Sequence, residues 1–402
     1  MAPGLPLVGI AALLLFLATE ARAGAPVVEV RTASGKTVSA PLARLGVKWD
    51  IRVGGSEPAA FESDDWLDFR RAGAELPERP TSAQLILTNG DCLPIRDAKL
   101  DGEQVRCHLD DKDGTEWTTP LATVGLIWLS PPSDRAEREK TRRRWTSEKR
   151  TRDLVRLRNG DTVEGVLTGV DASTVSVEVE KKKVPLSSEK VAAVALSTEL
   201  ASVPKPKGVH GRLVLSNGAR LTLKAAECAD GENLTATTVY NTVLKVKLAD
   251  VAALYLVGGK AVYLSDLKPG RFEGKPYGDL EWPPGWDASV SGRDLRVGGS
   301  TFDKGIGLHS ESRLSFALGG NYRSFEALVG LEEQDGGSVG TARIKVLVDG
   351  KERPLEGKLA GKERPLAVRL DVSGAKELML VVEFEKGDVL GRVNWGDARL
   401  VK

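Results

Sequence analysis

The chain has 402 residues, 57 Lys and Arg against 56 Asp and Glu, a formal net charge of +1 and 41% hydrophobic residues. That length implies roughly two to four domains. The near-zero charge excludes a sequence-wide field that would gather nucleic acid or an anionic membrane, and the apolar content excludes wholesale disorder. With 43 Gly and 20 Pro the chain reads as strand and turn. Its three histidines are His108, His210 and His309, and its three cysteines are Cys92, Cys107 and Cys228. No CxxC, HExxH or four-ligand zinc spacing occurs.

Residues 1–23 read as a signal peptide. An apolar run from Leu5 to Ala18 is followed by Ala21-Arg22-Ala23 and then Gly24, a small-residue cleavage pattern. The run falls short of the roughly 18–20 residues a spanning helix needs. Its n-region lacks Lys or Arg, a departure from the usual signal. No later stretch reaches spanning length. The expectation is an exported protein, periplasmic, cell-surface or secreted, with no transmembrane span after cleavage.

The middle of the chain repeats itself. Leu87-Thr88-Asn89-Gly90-Asp91 recurs as Leu157-Arg158-Asn159-Gly160-Asp161 and as Leu215-Ser216-Asn217-Gly218-Ala219, with a weaker copy at Ala33-Ser34-Gly35-Lys36. Asn-Gly between alternating apolar positions predicts a hairpin, with positive φ tolerated at both turn residues. The copies also end alike: Val124 to Leu129, Val191 to Leu196 and Val251 to Leu256 are closing apolar strands. Four small units follow: 26–80 (degenerate), 83–130, 154–200 and 209–258. Each suits a small barrel or curled sheet of four or five strands.

Residues 131–153 form a charged linker between the second and third units. From Asp134 to Asp153 it holds nine Lys or Arg and five acids, which predicts a solvated helix. A Pro/Lys-rich linker, 201–208, precedes the fourth unit. Cys92 and Cys107 could face each other across a hairpin of the second unit, leaving Cys228 unpaired. All three equally suit small buried apolar positions. Asn233-Leu234-Thr235 is a formal glycosylation sequon.

The Asn-Gly-Asp opening, with a Gly shortly after at Gly165, weakly resembles the Sm-like small barrel. An RNA partner does not follow: no basic surface is interleaved with aromatics, and export removes the usual substrate. The units read instead as β spacers or docking modules for another envelope protein.

From Ala261 onward the texture changes to longer strands, clustered Trp and many glycines. Segments in order are Val262 to Leu267, Phe302 to Ser310 (Phe-Asp-Lys-Gly-Ile-Gly-Leu-His-Ser), Leu314 to Leu318, Phe325 to Leu331, Val346 to Lys351, Leu370 to Val382 and Asn394-Trp395-Gly396-Asp397-Ala398. In that order and spacing, residues 260–402 resemble the NPCBM/NEW2 domain, a carbohydrate-binding module found beside glycoside hydrolases, including family 98. The resemblance implies a galactose-binding-like β-sandwich, or jelly roll, with sugar contacts in loops at one end. It also implies a structural Ca²⁺, for which the sequence singles out no ligand set. The fold class is therefore mostly β: small barrel or curled-sheet repeats followed by a jelly roll.

A sugar site needs an aromatic platform and a few fixed polar groups. Trp282, Trp286, His309, Arg392, Trp395 and Asp397 are the candidates, the first two in a loop around Pro283-Pro284-Gly285. The family commonly carries Asp-His before its terminal Trp, where this chain has Gly391-Arg392-Val393; Arg392 is the polar group left to support binding. Glu332, Glu333 and Asp335 read as solvated loop carboxylates. No pair among the 56 acids is singled out as a glycosidase pair, and no Gly-x-Ser-x-Gly elbow appears. The function expected is non-catalytic binding of a cell-surface or environmental polysaccharide. The alternative is an envelope scaffold whose jelly roll no longer binds sugar. Convergence of Trp282, Trp286 and Trp395 on one exposed face would separate the two.

Overall fold

A computed structural model describes residues 26–199, 201–276, 281–334, 337–355, 359–361, 364–385 and 391–402. The signal peptide expected over residues 1–23 lies outside the described residues. No helix among the described residues is long and apolar enough to cross a membrane.

The repeats share one strand plan. In the third, Asp153–Leu157 pairs with Thr162–Val170, then Thr174–Val179, then Lys182–Ser187; a 3-10 turn, Ser188–Lys190, leads to Val191–Ala195, which returns to the first strand. The same antiparallel circuit runs through residues 84–128, 210–257 and, without the 3-10 turn, 27–71. Every second strand breaks register at the same place: Leu42/Arg44, Ile95/Asp97, Leu167/Gly169 and Leu223/Ala225. A bulge bends and twists its strand, and here it lets one strand serve both halves of a curled sheet.

The Asn-Gly turns differ from the two-residue hairpin expected. Gly90, Gly160 and Gly218 have φ of +86°, +95° and +87°, whereas no Asn of these turns has positive φ. Each Gly donates to the Leu three residues back, and each Asn side chain accepts the N–H two residues ahead. This is a three-residue loop with a left-handed glycine. The Asn is chosen for its side-chain acceptor.

Closing strands join the units in pairs. Val124–Trp128 runs against Val191–Ala195, and Trp66–Arg71 against Val251–Val257. One apolar core runs through all four units. Cys92, Cys107 and Cys228 are free and buried. Cys107 sits opposite Ala98 and Cys92 opposite Ile86, so the hairpin does not bring the two together.

The C-terminal region is a sandwich of two antiparallel sheets. One orders Gly285–Trp286, Gly305–His309, Arg392–Val401, Ser324–Leu331 and Leu366–Asp371; the other orders Phe272–Gly274, Ser312–Ala317, Glu377–Glu383, Thr341–Val348 and Lys351–Arg353. Between them lies a second core that includes Phe316, Phe325, Leu380 and Trp395.

The sandwich docks on the repeats through buried charge. Asp303 accepts from Arg79 (2.7 Å) and Arg212 (2.9 Å), and Arg220 lies at 3.4 Å. Asp294 meets Arg142 and Arg143 of the helix Arg135–Ser147, and Glu139 of that helix accepts the Asp294 N–H at 3.0 Å. Arg399 donates to Asp68 of the first repeat at 2.6 Å and to Glu326 at 3.0 Å. A small apolar cluster, with Leu76, Val214 and Tyr255 from one side and Leu295, Val297 and Phe302 from the other, closes the seam. The helix is capped by Asp134, whose side chain accepts from Glu137 N–H. It is not a solvated spacer, because Arg138, Glu139 and Trp145 are buried and its arginines clamp the sandwich.

Burial by itself would raise the pKa of these carboxyls, but the arginines outweigh it. Asp303 is held well below the usual range by Arg79, Arg212 and Arg220, Asp294 falls to about 2 beside Arg142, Arg79 and Arg143, and Asp68 is lowered by Arg31, Arg399 and Arg70. Glu139 goes the other way, raised by burial and by the charge of Asp294.

Candidate functional site

At one end of the sandwich the strands Gly305–His309 and Arg392–Val401 run antiparallel, with His309 opposite Arg392. The Trp282 ring packs on both. Its centroid is 4.8 Å from that of His309, nearly parallel, and the Arg392 guanidinium lies 5.3 Å from the ring. Trp282 is half-buried and His309 is buried, its Nδ1 3.2 Å from the Ser310 carbonyl.

Glu332 completes the cluster. It follows the strand Ser324–Leu331, donates its N–H to the Arg392 carbonyl, and places Oε2 3.7 Å from Arg392 Nη1. Its Oε1 accepts from the hydroxyls of Ser289 (2.8 Å) and Ser291. This carboxylate is buried, contrary to the solvated loop expected. Neighbouring Glu333 also turns inward, accepting the Gly299 N–H at 2.8 Å, and Asp335 lies outside the described residues. No sequence signal distinguishes Glu332 from its neighbours; Ser289 and Ser291 recruit it only in three dimensions.

Three polar atoms here, Trp282 Nε1, Arg392 Nε and Glu332 Oε2, are buried without a hydrogen-bond partner among the described residues. Gly391 has a packing reason. Its carbonyl accepts from Ser310 N–H (2.8 Å) and Oγ (3.0 Å), and a Cβ there would lie 1.9 Å from that Oγ. An Asp at this position would displace Ser310.

The other candidates lie elsewhere. Trp286 is exposed on its edge strand, its ring edge-on to Phe316 at 6.4 Å. Trp395 is fully buried against Phe325, and its Nε1 has no hydrogen-bond partner among the described residues. Asp397, at φ +51°, points into the seam, where Arg70 and Arg31 (3.1 Å) hold its carboxylate. The three tryptophans do not converge on one face. Trp282, His309 and Arg392 do come together.

A cavity of about 940 Å³ lies away from this end. It separates the second and fourth repeats, and its walls include Leu109, Asp113, Asn217, Leu244 and Lys247. It offers no aromatic side chain for a sugar face. Among the described residues, no group of three or more His, Cys, Asp or Glu is placed to hold a metal ion.

Comparison with known proteins identifies the C-terminal region. Residues 260–401 match the family model of the NPCBM/NEW2 domain. CBM51 from Clostridium perfringens GH95, solved in complex with methyl-galactose, is 29% identical over 35% of this chain and 99% of its own, with a TM-score of 0.31. The CBM51-2 and INT domains of Clostridium perfringens ZmpB, solved with GlcNAc, are 21% identical over 48% of this chain and 43% of theirs, with a TM-score of 0.33. The tandem CBM51 modules of Sp3GH98 from Streptococcus pneumoniae SP3-BS71 are 11% identical over 68% and 95%, with a TM-score of 0.30. No match is found among curated proteins. The last third of the chain, residues 260–401, is thus an NPCBM/NEW2-like domain borne on four small β repeats.

Proposed function

We propose that the chain is an exported, non-catalytic protein that binds a cell-surface or environmental polysaccharide through its C-terminal module. The family match over residues 260–401 carries the reading. The Trp282 cluster supports it, since an aromatic ring beside an imidazole, a guanidinium and a carboxylate is the chemistry a pyranose needs. In this reading Trp282 is the platform and the partly exposed Arg392 is the polar contact, while buried His309 and Glu332 hold the two in place. Trp286 serves at most as a separate exposed contact, and Trp395 and Asp397 serve the fold.

The test is a glycan array and polysaccharide pull-down with the full chain, alongside Trp282→Ala. Saturable binding that vanishes in a variant with an unchanged melting curve supports the proposal. A folded chain that binds no glycan overturns it.

A scaffold role has its own support in the cavity between the second and fourth repeats. It borders the strand Val243–Lys247, which among the described residues is paired on one side only. An open strand edge beside a cleft suits a protein partner. Loss of glycan binding in the folded chain would move the search there.

A further inference from the structure

We propose that the Trp282 site takes an acidic glycan, with a uronate carboxylate paired to Arg392. This rests on the carbohydrate-binding reading above and narrows it to a substrate class.

The argument is the unspent guanidinium. Arg392 has five N–H donors in a planar fork. Among the described residues, its side chain makes one ion pair, to Glu332 at 3.7 Å, and no hydrogen bond. A charge-assisted bond would be about 2.7–2.9 Å. Glu332 already has two hydroxyl donors on Oε1, so Arg392 is not its sole compensation. Arg399 in the same strand shows what a satisfied arginine looks like here, with bonds of 2.6, 3.0 and 3.1 Å to Asp68 and Glu326. Arg392 instead lies against an aromatic ring with 23% of its side chain exposed.

A sugar stacked on the open part of Trp282 places its ring substituents beside that fork. A carboxylate at C6 takes two parallel N–H donors, where a neutral hydroxymethyl takes one. Glu332 sets a limit in the other direction. Its negative charge weakens attraction for free anions, so the acidic group gains most when the sugar ring also stacks.

The experiment is calorimetry on the full chain with α-1,4-digalacturonate and with neutral α-1,4-galactobiose, at low and high NaCl, repeated for Arg392→Gln and Trp282→Ala. The acidic disaccharide is expected to bind at least about tenfold tighter, a preference that shrinks with salt. Arg392→Gln should remove the preference with an unchanged melting curve, and Trp282→Ala should abolish both ligands. Equal or tighter binding of the neutral sugar, or a preference that survives Arg392→Gln, overturns the acidic assignment and leaves carbohydrate binding standing. A folded chain that binds neither these sugars nor any glycan of the array overturns both.

Discussion

Asp68 of the first repeat and Arg399 of the last sandwich strand meet at 2.6 Å, both side chains fully shielded from solvent. Residues 331 positions apart share one buried ion pair. Arg31 and Arg70 flank Asp68, and Glu326 flanks Arg399, so neither charge depends on a single partner. Removing one member leaves the other without full compensation in a low-dielectric seam. Asp68→Asn and Arg399→Met should each cost about 3–5 kcal/mol, and Asp68→Leu with Arg399→Met much less than the sum. Urea unfolding of the four proteins reads this directly.

The sandwich should not stand well alone. A fragment of residues 260–402 exposes Asp303, Asp294 and Asp397 without their arginines, and bares Leu295, Val297 and Phe302. It is expected to melt below the full chain or to associate. Calorimetric scans of both, at matched concentration, check it. A fragment melting with or above the full chain would show that the seam adds no stability.

The seam also sets an acid limit. Asp68, Asp294 and Asp303 have folded pKa values below their unfolded ones, so their stabilisation is complete above about pH 4. It is lost as pH falls through the folded values, near 2 for Asp294, with Asp68 and Asp303 lowered in the same direction by their arginines. Glu139 has the opposite sign: its raised pKa means that its ionised form costs stability near neutrality. Glu139→Gln keeps an acceptor for the Asp294 N–H and should melt at or above wild type at pH 7. Melting temperatures from pH 8 to pH 2 test both statements.

Trp282 and Trp395 should separate binding from folding. Trp395→Ala empties a fully buried core position and should cost about 3–5 kcal/mol. Trp282→Ala acts on a half-buried ring at the sandwich end, so its effect should fall on glycan binding with a small change in melting temperature. Array signal and thermal melts, measured together, distinguish them.

In the third repeat turn, Gly160→Ala should cost about 1–2 kcal/mol. The φ of +95° is the whole reason, because a Cβ there would meet nothing within 4 Å. Asn159→Ala loses one exposed local acceptor and should cost less than Gly160→Ala. Urea midpoints of the two variants rank them.

The repeats were legible because a hairpin is local. Asn-Gly with flanking apolar alternation specifies its own turn, and the closing strands Val191–Ala195 and Val251–Val257 read as apolar runs because both faces are covered. The helix of the charged linker was legible for the same reason, its charges of mixed sign and lack of a β-branched run being local properties. What surrounds that helix was not. A run of arginines reads as a solvated face unless the acids that will bury it are known, and Asp294 lies far along the chain.

The candidate site divides along the same line. From Ala261 onward, strand alternation and turn residues encode local pairing, and the resemblance of those segments to the NPCBM/NEW2 domain is what implied a jelly roll of carbohydrate-binding type. Nothing in the sequence separates Trp282 from Trp395, or Glu332 from Glu333, because each is a residue type suited to either a site or a core. Tertiary packing decided those roles. Register places His309 beside Arg392, sheet stacking buries Trp395, and the seam captures Asp397. Each outcome depends on partners distant in sequence, and desolvation, not residue type, sets what a charged or aromatic side chain does.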